Sequence, residues 1–348
     1  MRPRDLIFGA LAVVLLIGYI VLGDRLKPIV TAGAAATPTP AKPTGPVSAP
    51  QVRGRIAFVL RGDVYVLSGG NYQQRSFDGR SQQPALTRDG ATLYFSRFEE
   101  IEGDRVVDGQ LTPARLGFSD VVRRPTASGS EDVLLSGLTR APGSSRQHTV
   151  RWFLGPAPSP DGTKLALIEG DADGSADLVL FDLAAKRVTA ILSTGADWAD
   201  PAWAPDGKSL VLTSYDHGDP ELILKPVDGR ASTAVKGVPE GEPYRPSFSP
   251  DGRWIVYTLR HDDGRMNDVH ALELASGRDL VLTADGRSWN AVFSPDGTQI
   301  AFLRADGFTI DLWVMDVGAA LAGGAAKQPM RITHSEGIDG ASRPAWAN

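Results

Sequence analysis

The sequence predicts an all-β chain: a six-bladed β-propeller of four-stranded blades, closed by pairing its N- and C-terminal strands and preceded by a single transmembrane helix and a proline-rich stalk. Three observations carry this. A pattern centred on Pro-Asp-Gly recurs every 45 residues, the C-terminus repeats the start of that pattern and then stops, and the first fifty residues lack it. Internal repetition at a period of 40–50 residues is the mark of propeller blades.

Residues 1–27 form the first element. Leu6 to Gly23 is uncharged and bracketed by Asp5 and Asp24. At about 1.5 Å per residue a helix of this length spans roughly 27 Å, close to a bilayer core. A cleaved signal peptide needs small residues close behind its apolar run. The nearest such site, Ala32-Gly33-Ala34, lies beyond Arg25 and Lys27, so a retained signal anchor is favoured. Arg2 and Arg4 precede the span and Arg25 and Lys27 follow it, which leaves the positive-inside signal nearly balanced with a lean to N-in. Residues 28–52 hold six prolines up to Pro50 and form a semi-rigid extended stalk, placing the propeller (53–348) on the extracytoplasmic side of a cell membrane.

The net charge is −5 and there is no cysteine. The first argues against a nucleic-acid partner, which needs a basic footprint. The second excludes disulfides, thiol catalysis, zinc-thiolate sites and a lipid-modified N-terminal cysteine.

The repeat itself reads "PAPSPDGTKLALI" (156–168), "PAWAPDGKSLVLT" (201–213), "PSFSPDGRWIVYT" (246–258) and "AVFSPDGTQIAFL" (291–303), with a weaker copy, "PALTRDGATLYFS", at 84–96. In each unit a short strand ends at Asp-Gly and an alternating apolar strand follows, such as Trp254 to Leu259. A second Asp/Gly-rich turn, a third strand such as Asp177 to Asp182 or Asp311 to Asp316, and a fourth ending near Leu192, Val235, Leu282 or Ile332 complete it. Five units are whole. "SRPAWAN" at the C-terminus supplies the first strand of a sixth, whose other three lie in about residues 55–77. Such closure removes exposed sheet edges.

These units resemble the WD-like repeats of the TolB-type six-bladed propeller family, whose hallmark is a Ser-Pro-Asp-Gly turn between the first two strands of a blade. The resemblance covers about residues 53–348, with three "SPDG" copies and one "APDG". It implies that the first strand of each blade is innermost. TolB proteins carry an α/β domain ahead of the propeller, and here the anchor and stalk stand in its place, which speaks against a Tol–Pal role.

Asp89, Asp161, Asp206, Asp251 and Asp296 are read as structural turn residues: Gly takes positive φ cheaply and Asp bonds nearby backbone N–H groups. Trp203, Phe248, Phe293 and Trp346, two residues before the motif proline or its equivalent, are read as packing between blades. "DADGSAD" (171–177) brings Asp171, Asp173 and Asp177 together but lacks the full spacing and bidentate Glu of an EF-hand, so calcium has only weak support and no cofactor is expected. His148, His217, His261, His270 and His334 are scattered without a metalloprotease pair, and no Gly-x-Ser-x-Gly elbow is present.

The candidate binding residues follow from strand direction. The motif turns all lie on one face of the disc. The opposite face carries the second-to-third hairpins, the links between blades, and two departures from the period: the extension Arg97 to Gly117 and the long link at 137–155. Immediately before the innermost strands on that face stand Gln83, Gly155, Asp200, Arg245, Asn290 and Arg343, with Trp198, Tyr244 and Trp289 beside them at the channel mouth. The sequence thus points to a monomeric, non-catalytic module binding a protein, peptide or cell-envelope polymer. The alternative is a hydrolase or lyase on an envelope carbohydrate or lactone with a divalent cation at the channel mouth.

Overall fold

An Asp-Gly turn between two β-prone segments folds the chain back as an antiparallel hairpin, and every expected motif turn does so. The computed structural model describes residues 52–107, 110–140, 148–171, 174, 176–195, 197–216, 218–261, 266–334 and 337–348. The anchor expected over residues 1–27 and nearly all of the stalk (28–52) lie outside the described residues. Among those described, no helix is long and apolar enough to cross a membrane.

Six sheets stand around an axis. In chain order the strands begin with β1 (Arg55–Leu60), β2 (Asp63–Ser68) and β3 (Asn71–Gln74). The second blade holds β4 (Ser81–Leu86), β5 (Thr92–Val107), β6 (Gln110–Pro125) and β7 (Asp132–Leu135). The third holds β8 (Leu138–Arg140), β9 (His148–Pro158), β10 (Lys164–Asp171), β11 (Ala176–Asp182) and β12 (Arg187–Ile191). The fourth comprises β13 (Trp198–Trp203), β14 (Ser209–Ser214), β15 (Glu221–Pro226) and β16 (Thr233–Ala234). The fifth comprises β17 (Glu242–Phe248), β18 (Trp254–Arg260), β19 (Asn267–Glu273) and β20 (Arg278–Val281). The sixth has β21 (Ser288–Phe293), β22 (Gln299–Asp306), β23 (Thr309–Asp316) and β24 (Met330–Arg331). Last comes β25 (Ala345–Ala347), which pairs with β1 and gives the first sheet the order β25-β1-β2-β3. The innermost strands contact one another in the cycle β25, β4, β9, β13, β17, β21 and back to β25. The ring is closed as the repeat predicts.

The second strand of each blade departs from the expected alternation. Trp254 to Leu259 is buried at every position, because neighbouring blades cover both faces of the sheet. Ile300 and Phe302 of β22 pack against Trp254 and Val256 of the preceding blade. Ala301 and Leu303, alternating with them, pack against Ile56 and Phe58 of the next. Each large side chain so buried stabilises the disc by roughly 1.5–3 kcal/mol.

The described residues of the two insertions fold as regular β-structure. The extension after Arg97 becomes the outer half of the β5–β6 hairpin, paired from Thr92 opposite Pro125 to Val107 opposite Gln110. The link at 137–155 contributes β8 and the long start of β9, which gives the third blade a fifth strand, against the expected four. Leu116, Phe118 and Val150, with Trp152, bury a small core between these two elements.

Local chemistry sets the turns. In the motif at 249–254 the Ser249 hydroxyl donates to Asp251 Oδ1 at 2.6 Å and accepts from Trp254 N–H at 2.9 Å. Arg253 N–H donates to the same carboxylate at 3.0 Å. Asp161 and Asp296 repeat this arrangement. Asp206, whose motif has Ala204 in place of serine, keeps only the backbone bond from Lys208 at 2.9 Å. In the weaker copy Thr87 substitutes for serine toward Asp89.

A second set of repeated acids, which the motif-turn reading passes over, fixes the links between blades. Asp63 Oδ1 accepts from Asp78 and Gly79 N–H at 3.0 and 2.9 Å. Asp120 accepts from Gly137 at 3.0 Å, Asp177 from Gly195 at 2.8 Å and Asp268 from Gly286 at 2.9 Å. Each acid sits near the start of a third strand or its equivalent, in "DVYVL", "DVVRR", "DLVLF" and "DVHAL", and that recurrence was visible in the sequence. By holding four of the links, these carboxylates set where β4, β9, β13 and β21 begin.

Closure brings backbones very close. Ile56 faces Trp346, and Arg55 Nη1 donates to the Asn348 carbonyl at 2.7 Å. Gly54 has φ +82°, and a Cβ there would lie 2.1 Å from the Ala347 carbonyl oxygen. Gly54→Ala is therefore expected to destabilise the propeller by roughly 3 kcal/mol; an unchanged urea midpoint would show that closure does not depend on this approach. The turn acids give a pH signature. The Ser159 hydroxyl, then the Thr163 N–H, hold the Asp161 carboxyl below its ordinary range against a small opposing effect of burial. A lowered folded value stabilises above the unfolded pKa, and that share is lost as pH falls through the folded value. Ser159→Ala is expected to cost roughly 1 kcal/mol at neutral pH. Urea titrations should show its deficit shrinking below about pH 4.

Candidate functional site

Five of the six innermost strands break register once against their neighbours. The slips fall between Gln82 and Ala85, Ala199 and Ala202, Tyr244 and Ser247, and Trp289 and Val292, with a matching one opposite β9. At each slip one residue takes a left-handed backbone: Gln83 (φ 53°), Gly155 (58°), Asp200 (56°), Arg245 (53°) and Asn290 (59°). A proline follows four of the five, and it cannot donate the ladder hydrogen bond in any case. These bulges locate five of the six expected ring residues inside the innermost strands, not before them. Only Arg343 precedes its strand, β25. A left-handed non-glycine residue costs about 1–2 kcal/mol. Here neighbouring hydroxyls fix the geometry: Thr213 accepts from Arg245 N–H at 3.2 Å, Thr258 from Asn290 N–H at 3.0 Å and Ser342 from Gln83 N–H at 3.1 Å.

The channel holds a cavity of about 280 Å³. It runs from this ring to the motif turns, so the ring is its floor and the walls belong to the motif side of the disc. The sequence reading placed the site on the opposite face. Every blade contributes a proline to the wall: Pro84, Pro156, Pro201, Pro250, Pro295 and Pro344. Trp203, Phe248, Phe293 and Trp346 line it as well as packing between blades. The indoles of Trp203 and Trp346 donate to the Ala157 and Arg53 carbonyls at 2.9 and 2.8 Å. The motif aspartates do not line the cavity, while Ser159, Ser249 and Ser294, which do, are engaged with those aspartates.

Four of the expected binding residues meet on the floor: Gln83, Asp200, Arg245 and Arg343. Gln83 Oε1 accepts from Gly155 N–H at 2.7 Å. Arg245 Nε stands 3.5 Å from Asp200 Oδ1. Arg343 reaches past the sixth blade to donate to the Pro246 carbonyl of β17 at 2.5 Å. Burial pushes the Arg343 guanidinium below the ordinary arginine range; Asp200 opposes this and the like charge of Arg245 adds to it. The Arg343 contact spans 97 residues of sequence, and no local pattern announces it.

The other four are placed elsewhere. Asn290 is fully buried, with Nδ2 donating to the Gly340 carbonyl at 3.0 Å. Trp289 donates to the same carbonyl at 2.9 Å. Trp198 donates to Asp216 at 2.7 Å, with the Lys225 ammonium 5.8 Å from its ring centre. The Tyr244 hydroxyl donates to Asn267 at 2.9 Å, and burial pushes it up to about 12. These aromatics fasten the floor from behind. Among the described residues no three histidine or carboxylate side chains come together to hold a metal ion. In the acidic turn at 171–177, Asp173 lies outside the described residues and Asp177 is engaged with Gly195.

What the floor and walls offer chemically is a narrow apolar channel ending on two guanidiniums and one carboxylate. The TolB beta propeller domain family matches residues 144–348. The Tol-Pal system protein TolB of Anaeromyxobacter dehalogenans is 25% identical over 323 residues, covering 90% of this chain and 56% of that protein. A TolB homolog of Chlorobium luteolum is 33% identical over 143 residues, 41% of this chain and 29% of that one. The chain thus spans about half the length, or less, of these curated relatives. The crystal structure of TolB from Acinetobacter baumannii shares the fold with a TM-score of 0.63 at 19% identity, covering 87% of this chain and 67% of that one. By its repeat, its closed six-bladed ring and this match over more than half its length, the chain belongs to the TolB β-propeller domain family.

Proposed function

We propose that this chain is a non-catalytic binding module of the cell envelope, and that its ligand is a segment of another protein received in the central channel. The observation that carries this is the cavity itself: about 280 Å³, walled by proline and aromatic side chains, with its motif serines spent on turn aspartates and its charged groups on the floor apart from Arg88 at the rim. Pockets of this make-up bind by apolar contact and orient by a small polar set. Asp200 is the single carboxylate of the lining and stands beside Arg245, and the motif serines are spent on turn aspartates. The lining therefore offers recognition groups and no paired acid and base. The relative named as a Tol-Pal system protein, matched along nearly the whole chain, supports a protein partner in an assembly of that kind.

The anchor completes the reading. The apolar segment 6–23 would hold the propeller at the membrane through the stalk, which joins the disc at Val52 and Arg53. Arg53 accepts the Trp346 indole N–H on the motif side, so the cavity would face the tether.

Two measurements test these statements. A photo-cross-linking phenylalanine analogue in place of Arg88, at the channel rim, is expected to yield one discrete protein adduct in native membranes. The same group in place of Lys186, on the outer turn after β11, should not give it. Identical adducts from both positions, or none with protein from Arg88, would sink the binding reading. Deleting residues 1–27 should move the chain from the carbonate-resistant membrane fraction to the soluble one; parent protein already extracted by carbonate would disprove the anchor.

A further inference from the structure

The channel floor has more hydrogen-bond donors than the protein uses. A guanidinium carries five N–H donors in a planar fork. Arg245 lines the cavity with 17% of its side chain exposed, and its ion-pair partner, Asp200 Oδ1, is 3.5 Å away, beyond the usual hydrogen-bond length. Arg343 spends a donor on the Pro246 carbonyl and also lines the cavity. Two positive groups face one carboxylate, which leaves the floor with one uncompensated positive charge in a confined space. Arg88 adds another at the rim.

The fork matches a carboxylate in a bidentate fashion. The walls restrict what can carry that carboxylate inward. A sugar acid presents hydroxyls all round and needs side-chain partners for them. Here the wall is proline from every blade, and the indole N–H groups of Trp203 and Trp346 already serve backbone carbonyls. An Asp or Glu side chain borne on a loop would bring two strands of chain with it. A cavity of about 280 Å³ that ends on a floor spanned by Arg343 admits one strand, end first.

We propose that the floor receives the C-terminal carboxylate of a polypeptide, gripped by Arg245 with the spare donors of Arg343, while prolines and aromatics hold the apolar residues behind it. This rests on the binding reading above and names the chemistry of its ligand. Asp200 acts as a positioning residue that also competes with the incoming carboxylate for Arg245. That competition gives the proposal a signature of opposite signs at adjoining residues.

The ring already accommodates the substitutions that test this. Glutamine occupies the equivalent left-handed position at Gln83 and asparagine at Asn290. The full chain in detergent would be titrated with a library of hexapeptides bearing free C-termini, with the same library C-terminally amidated, and with a glucuronate-containing tetrasaccharide. Fluorescence of the channel tryptophans Trp203 and Trp346 would report binding, and the melting temperature of each variant would check its fold. The free acids are expected to bind roughly tenfold or more tighter than the amides. Arg245→Gln should abolish that difference, Arg245→Lys should recover part of it, and Asp200→Asn should tighten the free acids by about threefold. Equal binding of acids and amides overturns the carboxylate while leaving the channel a peptide site. Preference for the tetrasaccharide, or binding of neither library, also overturns it, and cross-linking at the rim then decides whether the binding reading falls with it. Weakening by Asp200→Asn overturns the role given to Asp200.

Discussion

Three residues at each end of the propeller carry the rest of the structure: the antiparallel pairing of Arg55–Ala57 with Ala345–Ala347. Without it β1 would present an open row of backbone donors and acceptors, and the first blade would have no innermost strand. Two apolar cores depend on the same pairing. One joins Ile56 and Phe58 to the sixth blade, and the other joins Ala57, Val59 and Ala347 to Leu93 and Phe95 of the second. Closure also builds the channel floor, because it fixes Ser342, which accepts from Gln83, and Arg343, which crosses to Pro246.

A second layer of control lies in the links between blades. Asp63, Asp120, Asp177 and Asp268 capture backbone N–H groups of four of those links. The next innermost strand then starts at a defined height, and the bulge within it places Gln83 and Asp200 on the channel floor, where Arg245 joins them from its own bulge. Strain held at several left-handed residues persists only where the surroundings over-determine it. Here the hydroxyls of Thr213, Thr258 and Ser342 supply that restraint. The channel floor is therefore a product of backbone geometry repeated around a ring, with side-chain identity free to differ from blade to blade.

The fold was legible in the sequence because its phase is written in short local motifs. Asp161, Asp206, Asp251 and Asp296 act only on residues within two or three positions of themselves, so a linear pattern captures their role. The site was legible in part. Position in the repeat put Gln83, Asp200, Arg245 and Arg343 in one expected ring, and the structure places these four along the cavity, since a ring sets equivalent residues at equal height. It could not separate them from Asn290, Trp198, Tyr244 and Trp289. Which way a side chain turns at a bulge depends on partners such as Gly340, Asp216 and Asn267, chosen by tertiary packing. Strand direction alone also could not show that the cavity lies on the motif side of the ring. That follows from the lining, which runs from the ring residues to the motif turns.

The distance in sequence between the two halves of the first blade has a temporal meaning. Arg53 and Trp346, joined by an indole hydrogen bond, are 293 residues apart. Contacts of such separation form late, because the intervening chain must be ordered before its ends can meet. Blades two to six can each assemble from neighbouring sequence while β1 waits. Arg343 arrives with the strand that ends the wait, so the channel has no floor until the last blade is whole. A partly folded chain can hold most of its core and still lack the channel floor, which is completed in a single final step.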